Sequence, residues 1–322
     1  MPPHLGHQLM CETGAALAEC MTVLVCSTEL EPLAGDLRAQ WMRELLPQCR
    51  VQHMHRDIPQ EPAEHADFWN IWRVAIREYH PQPIDLVLGS EPYVFRLAAE
   101  LDARAVLLDP ERELTPVSGS SVRADPLGAW QWLPQPVRKF YQRRVCILGP
   151  ESTGKSTLTT ELARRFDGTP MTEYGRTYDA FYRRGEDWQH DDFIHLATTH
   201  LAMRESLSER GRSLVVEDTD AIQTAVWAAA LKSEVSLVNL VPRFEPADLY
   251  LLLTPEVAWH DDNTRYFGDP STRAAFFDSC KALLEAHACR YLVVSGSDWS
   301  ARTEQAASAV AVLLASVARS KR

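Results

Sequence analysis

Several features that would assign this chain to a broad class are missing from it. It has no apolar run approaching the roughly 18 residues that a membrane-crossing helix needs, and its opening, Met1-Pro2-Pro3-His4, is unlike a secretory leader. None of its seven cysteines forms a C-x-x-C pair, so neither a zinc site nor a disulfide framework is expected. Nor is there an excess of positive charge. Lys and Arg number 33 against 44 Asp and Glu, a net charge of −11, whereas non-specific nucleic-acid binding needs a basic surface that releases counterions. Internal repeats and low-complexity tracts are also missing. These absences point to a cytoplasmic protein in a reducing compartment, with no nucleic-acid and no membrane partner.

What is present describes an ordinary globular chain. Its 322 residues, 45% hydrophobic and 24% charged, suffice for two domains. Apolar, strand-like segments are expected at 21–26, 51–55, 84–88, 105–108, 144–148, 213–216, 248–253 and 291–294. Amphipathic stretches alternate with them, among them 67–79, 191–210, 271–288 and 301–318. Such alternation implies parallel sheets with crossover helices, the doubly wound α/β class. The segment 125–143 carries Pro126, Pro134 and Pro136 and no strand. It is the natural joint between a domain at 1–137 and another at 142–322.

The most specific signal is Gly149-Pro150-Glu151-Ser152-Thr153-Gly154-Lys155-Ser156, a G-x-x-x-x-G-K-[ST] loop that follows the run Val145–Leu148 and precedes a helical stretch starting at Thr157. Strand, glycine loop and helix form an anion cradle from backbone N–H groups and the helix N-terminus. Lys155 would neutralise β/γ-phosphate charge and the Ser156 hydroxyl would meet Mg²⁺. An ATP-binding loop at 149–157, with Mg²⁺ accompanying ATP as co-substrate, is therefore expected in the second half.

The first half carries weaker signals. His4-Leu5-Gly6-His7 places two imidazoles at a helix start, where both can address a phosphate and Gly6 permits close backbone approach. Val117-Ser118-Gly119-Ser120-Ser121-Val122-Arg123 is similar to an S-x-[ST]-x-x-R motif that holds triphosphate, with Arg123 as a bidentate fork. The bland alternative for the serines is an ordinary capped turn.

Together these motifs resemble the NadR-type bifunctional proteins, in which an NMN adenylyltransferase domain is fused to a ribosylnicotinamide kinase domain. The resemblance runs along nearly the whole chain. It includes Asp109-Pro110-Glu111-Arg112, Trp130 and Pro134, Glu173-Tyr174-Gly175-Arg176, Asp218-Thr219-Asp220, and Trp259-His260-Asp261-Asp262-Asn263-Thr264-Arg265. It implies an N-terminal Rossmann-like nucleotidyltransferase domain in which NMN phosphate attacks the α-phosphate of ATP, giving NAD and pyrophosphate. His4, His7 and Arg123 would neutralise charge on the in-line transition state. Trp69 and Asn70 would recognise the pyridine nucleotide, an indole face suiting a cationic ring, although Trp69 and Trp72 at i, i+3 also suit a helix core. Gly89 and Ser90, after a strand, would line the same crevice. In that family a strand and a glycine-aromatic turn precede H-x-G-H. Here three residues precede His4, so this domain is expected to lack its first strand, and kinase activity alone is the alternative reading.

For the second half the resemblance implies a P-loop kinase acting on ribosylnicotinamide. Kinase chemistry needs a group to orient the attacking hydroxyl, a carboxylate for Mg²⁺ and a cationic lid. Glu173 is placed to accept the ribose 5′-hydroxyl proton, Asp218 follows an apolar strand where P-loop proteins engage Mg²⁺ with Ser156, and Asp220 would bind ribose hydroxyls or cap the next helix. Spacing does not decide which carboxylate is the base. Tyr174, Arg176 and Trp259 are implied substrate contacts, and Arg265 an arginine finger supplied in cis. Thr172 stands where relatives often carry Trp. The expected partners are ATP, ribosylnicotinamide and NMN, in a monomer or a homo-oligomer. A nucleotide-sensing repressor is disfavoured by the acidic charge.

Overall fold

The structure, a computed structural model, describes residues 2–183, 185–231, 233, 236–259 and 266–319. The chain divides into two compact units. One contains the residues up to Phe140 together with the end of the last helix from Val317, and the other runs from Tyr141 to Ser316.

The second unit is a five-stranded parallel sheet. It comprises β5 (Arg143–Leu148), β6 (Thr169–Met171), β7 (Leu214–Asp218), β8 (Leu249–Leu253) and β9 (Tyr291–Val294), in the order β6-β7-β5-β8-β9. The strand period of two sorts its side chains to opposite faces. Val145 and Ile147 pack with Leu158, Leu162, Ala306 and Val310, whereas Cys146 and Leu148 pack with Phe193, Ile222, Tyr250 and Phe276. Both faces are covered, which is why β5, β7 and β8 read in sequence as unbroken apolar runs. The phosphate loop leaves the end of β5 at the centre of the sheet, where an open α/β sheet binds ligands.

The first unit has four strands: β1 (Thr22–Ser27), β2 (Arg50–His55), β3 (Leu86–Gly89) and β4 (Arg104–Leu107). They form two parallel pairs rather than one continuous sheet, the arrangement a doubly wound sheet takes when a central strand is missing. Among the described residues β1 pairs only with β2 and β3 only with β4, both parallel. Each of β1 and β3 thus carries ladder bonds along one edge, and their side chains are mostly half-buried, unlike the sealed β7 and β8. The helix Leu5–Leu17 packs toward both pairs. Cys11 joins Met42, Leu46, Val23 and Val25, and a Cβ at Gly14 would lie 2.8 Å from Met21 Sδ and 3.2 Å from Leu88 Cδ2. The proline-bearing stretch expected to be without strands holds a 3₁₀ turn at Trp130–Trp132 and the helix Gln135–Tyr141. Pro136 sits in that helix's first turn, where a missing N–H costs nothing.

Candidate active site

Two glycines set the phosphate loop's geometry. Gly149 (φ 143°) passes so close to β8 that a Cβ would be 2.7 Å from Leu253 O, and Gly154 (φ 86°) turns into the helix Lys155–Arg165. Both φ values lie where side-chain-bearing residues are strained. The loop is tied down by Gly149 N–H donating to Gln223 Oε1 (2.9 Å) and Thr153 Oγ1 donating to Pro150 O (2.8 Å). Fully buried Arg302 donates to Thr153 O (3.4 Å), Thr254 O (3.3 Å) and Gly296 O (2.9 Å), linking three loops at the strands' carboxyl ends. Lys155 is buried, its ammonium donating to Pro150 O at 3.0 Å. The Glu151 carboxylate accepts N–H bonds from Tyr266 (2.9 Å) and Phe267 (2.8 Å).

At the end of β7 the Asp218 carboxyl is pushed up to about 6, chiefly by burial and then by the negative charge of Glu173, against the opposing pull of Lys155 and of a hydrogen bond with the Ser156 side chain. Its Oδ1 is buried without a partner. An orphaned carboxylate oxygen beside a serine hydroxyl fits a cation. No cluster of three or more His, Cys, Asp or Glu suited to a metal occurs among the described residues. Mg²⁺ takes one or two protein oxygens and otherwise phosphates and water, so a serine hydroxyl and one carboxylate are a sufficient donor set for it. Ser156 and Asp218 would hold it.

Asp220 corrects the substrate-binding expectation. It is buried, with Oδ1 accepting from Ile222 N–H (2.9 Å) as cap of the helix Ala221–Ala230 and Oδ2 accepting from Tyr250 O–H (2.7 Å). Both oxygens are committed, and the capping alternative is the one realised.

A cavity of about 720 Å³ opens beside the loop. Lys155, Glu173, Tyr174 and Arg176 line it together with Trp188, Trp227, Asp179, His200 and Tyr266. Glu173 Oε2 accepts from Arg176 Nε at 3.1 Å. The rim is braced by the Tyr266 hydroxyl, which accepts from Arg183 Nη1 (2.8 Å) and Trp188 Nε1 (3.2 Å) and donates to Asp179 Oδ2 (3.0 Å). The Arg183 guanidinium lies 4.1 Å from the Trp188 ring centroid. Trp227 stacks on Phe267 with centroids 5.2 Å apart. Sequence reasoning missed Trp188, Trp227, Asp179 and Tyr266, since only the fold brings them together. Thr219, another lining residue, is a β-branched side chain at φ 72°, a strained conformation of the kind that collects at functional sites. Trp259 does not line this cavity; its ring covers Gly268. Arg265, with Asp261 and Asp262, lies outside the described residues.

In the first unit the His4 and His7 rings lie with centroids 3.8 Å apart, tilted by 31°. Burial, helped by the nearby Arg112 charge, lowers His4 to about 4; burial and the His4 charge lower His7 to about 3. Both are thereby held in the neutral form in the absence of phosphate, where each ring has one N–H to donate. A Cβ at Gly6 would sit 2.9 Å from Thr115 Oγ1. Thr115 in turn belongs to a loop gathered by Asp109, whose carboxylate accepts from the N–H groups of Glu113 (2.7 Å), Leu114 (3.1 Å) and Thr115 (3.1 Å). Ser118 forms the capped turn, its Oγ accepting from Ser121 N–H at 3.0 Å in a reciprocal capping box. Arg123 Nη2 reaches Ser120 Oγ at 3.5 Å. Trp69 packs edge-on to Phe68 at 5.0 Å with Arg96 over its ring at 5.9 Å, and Asn70 bonds Asp67 and Arg73 on its own helix. Gly89 closes β3 and Ser90 follows it half-buried.

Residues 144–302 match the AAA domain family model. The trifunctional NAD biosynthesis/regulator protein NadR of Salmonella typhimurium is 27% identical over 281 residues, 84% of this chain and 68% of the relative. The Escherichia coli protein of the same name is 28% identical over 286 residues, with the same coverage. The chain is homologous to NadR. A solved NadR structure in complex with NR superposes with a TM-score of 0.66 at 21% identity, covering 96% of this chain and 92% of that one. A second, with NAD and AMP-PNP, gives 0.67 at 21%, covering 98% and 93%. No helix among the described residues is long and apolar enough to cross a membrane.

Proposed function

We propose that the second unit is an ATP-dependent kinase that phosphorylates ribosylnicotinamide to NMN, and that the first unit transfers the adenylyl group of a second ATP to NMN. The observation that carries the kinase reading is the convergence of Lys155, Ser156 and Asp218 with a cavity lined by Glu173 and aromatic rings. The volume suits one nucleoside, and indole faces with the Asp179 carboxylate suit a cationic pyridinium. The solved relative with NR and the curated NadR relatives support this choice of nucleoside.

In this reading the 5′-hydroxyl oxygen attacks the γ-phosphorus in line, the O–P bond to ADP breaks, and the hydroxyl proton passes to Glu173. Glu173 is preferred as base because Asp220 is fully committed and Asp218 faces Ser156. Lys155 stabilises the charge developing on the phosphoryl oxygens. Ser156 and Asp218 would hold Mg²⁺, which would supply positive charge against the phosphates. Arg176 holds Glu173 in place, and Arg265 remains the proposed finger.

For the first unit, neutral His4 and His7, with Arg112 and Arg123, would bind the ATP phosphates, while Trp69, Gly89 and Ser90 would address the pyridine nucleotide. The divided strand pairs of this unit favour a second reading, in which only the kinase is active. Incubation with Mg·ATP and either ribosylnicotinamide or NMN separates the two: NMN formed from ribosylnicotinamide together with NAD formed from NMN supports both activities, and NMN formed from ribosylnicotinamide with no NAD from NMN supports the kinase alone.

A further inference from the structure

Two neighbouring residues hang from one carboxylate oxygen of the phosphate loop. Glu151 Oε2 accepts from Tyr266 N–H (2.9 Å) and from Phe267 N–H (2.8 Å), a charge-assisted grip on backbone that is distant in sequence. From that anchor each residue reaches the Glu173 cavity with its own side chain. The Tyr266 hydroxyl donates to Asp179 Oδ2 (3.0 Å) and accepts from Arg183 Nη1 (2.8 Å) and Trp188 Nε1 (3.2 Å). The Phe267 ring stacks on Trp227 with centroids 5.2 Å apart. Asp179, Trp188 and Trp227 line the cavity proposed for the nucleoside, and Glu151 lines it too. The donor loop and the acceptor cavity are thus joined through one carboxylate.

Tyr266 is 44% exposed, so apolar packing does little to fix it and its polar anchors carry its placement. On the cavity side, Asp179–Arg183 winds as a π-helix, a rare form that recurs at functional sites. Its Arg183 is buried, bonded to Asp179 Oδ1 (2.5 Å) and set 4.1 Å from the Trp188 ring centroid. Phosphates bound in the loop order the backbone that presents Glu151, and a pyridinium between the indoles orders the other end of the same chain of contacts. Each ligand then lowers the cost of ordering the site for the other. We infer that Glu151 is a positioning residue which, through Tyr266 and Phe267, couples binding of the phosphoryl donor to binding of the nucleoside. This rests on the kinase reading above.

Calorimetry on the full chain tests the coupling, with ribosylnicotinamide titrated without and with saturating Mg·AMP-PNP, which holds its γ-phosphoryl group. In the unmodified protein the nucleoside Kd should fall about fivefold or more when the donor analogue is present. Glu151→Ala should bring that ratio close to one, and Tyr266→Phe should reduce it while the Phe267 arm remains. Glu151→Gln, which keeps an acceptor oxygen, should retain most of it. A residue that only shapes the cavity would weaken the nucleoside equally with and without the analogue, leaving the ratio as it was. A ratio near one in the unmodified protein, or an undiminished ratio in Glu151→Ala, overturns the inference. If the alanine variant does not fold, Tyr266→Phe decides alone, and an undiminished ratio there contradicts it. Ribosylnicotinamide that binds under neither condition would count against the kinase reading instead, and amide hydrogen exchange then decides the coupling. Mg·AMP-PNP alone should slow exchange across Asp179–Arg183 in the unmodified protein and do so less in Tyr266→Phe; no slowing in the unmodified protein would overturn it.

Discussion

The Lys155 ammonium is folded back onto its own loop, 3.0 Å from the carbonyl oxygen of Pro150. A buried cation satisfied by one carbonyl is poised to exchange that partner for phosphate oxygens, which bind it more strongly as a charge-assisted pair. Lys155→Ala is expected to lower kcat for ribosylnicotinamide phosphorylation by about 100-fold or more, while adenylyl transfer from ATP to NMN changes little. Parallel assays of the two reactions check this, and equal loss of both would point to a shared site or to misfolding.

Asp218 belongs to the proposed Mg²⁺ site. Its folded value, raised from 3.8 to about 6, means that protons compete for the proposed metal site below about pH 6. The Mg²⁺ concentration giving half-maximal kinase rate should therefore climb as pH falls through 6, and excess Mg²⁺ should restore part of the rate. Asp218→Asn should lose most activity at every pH and flatten that dependence. On stability the sign runs the other way: the raised carboxyl favours the folded state below its unfolded value, and this contribution disappears as pH rises through about 6.

Asp220 and Tyr250 should matter for stability rather than for binding. Replacing Asp220 by Ala removes a helix cap and leaves the Tyr250 hydroxyl buried without its acceptor. A loss of about 2–4 kcal/mol is expected from the two effects together, read by urea unfolding. KM for the nucleoside should hold steady in the fraction that is folded. A large change in KM with unaltered stability would restore Asp220 as a substrate ligand.

Neutral His4 and His7 lead to a different pH signature. With folded values near 4 and 3, both imidazoles stay uncharged across neutral pH, so adenylyl transfer should show no inflection near 6.5 arising from them. Their stabilising contribution is present above the unfolded value and is lost as pH falls from about 6.5 toward 4. His7→Ala should abolish adenylyl transfer and spare the kinase; NMR titration of the imidazoles checks the values directly.

Legibility in the sequence followed physical range. The positions of β5, β7, β8 and β9 could be read from apolar runs because both faces of the central sheet are buried, and the phosphate loop from glycines that its backbone requires. The helix Gly35–Leu45 and the short α-turns near Tyr174 carry weaker patterns. Asp220 was ambiguous because a cap and a sugar ligand use the same residue type; only Tyr250, 30 residues away, resolves it. Trp188, Trp227, Tyr266 and Arg302 act through contacts between distant segments, and no local spacing announces them. The separation of β1–β2 from β3–β4 is likewise a matter of pairing, which side-chain periodicity does not encode.

The most direct test supplies the full chain with γ-labelled ATP, Mg²⁺ and ribosylnicotinamide and follows the label. The account predicts that it appears in NMN, at a rate that falls by orders of magnitude in Lys155→Ala. Label released only as inorganic phosphate, or transferred equally well by the Lys155→Ala variant, would contradict it.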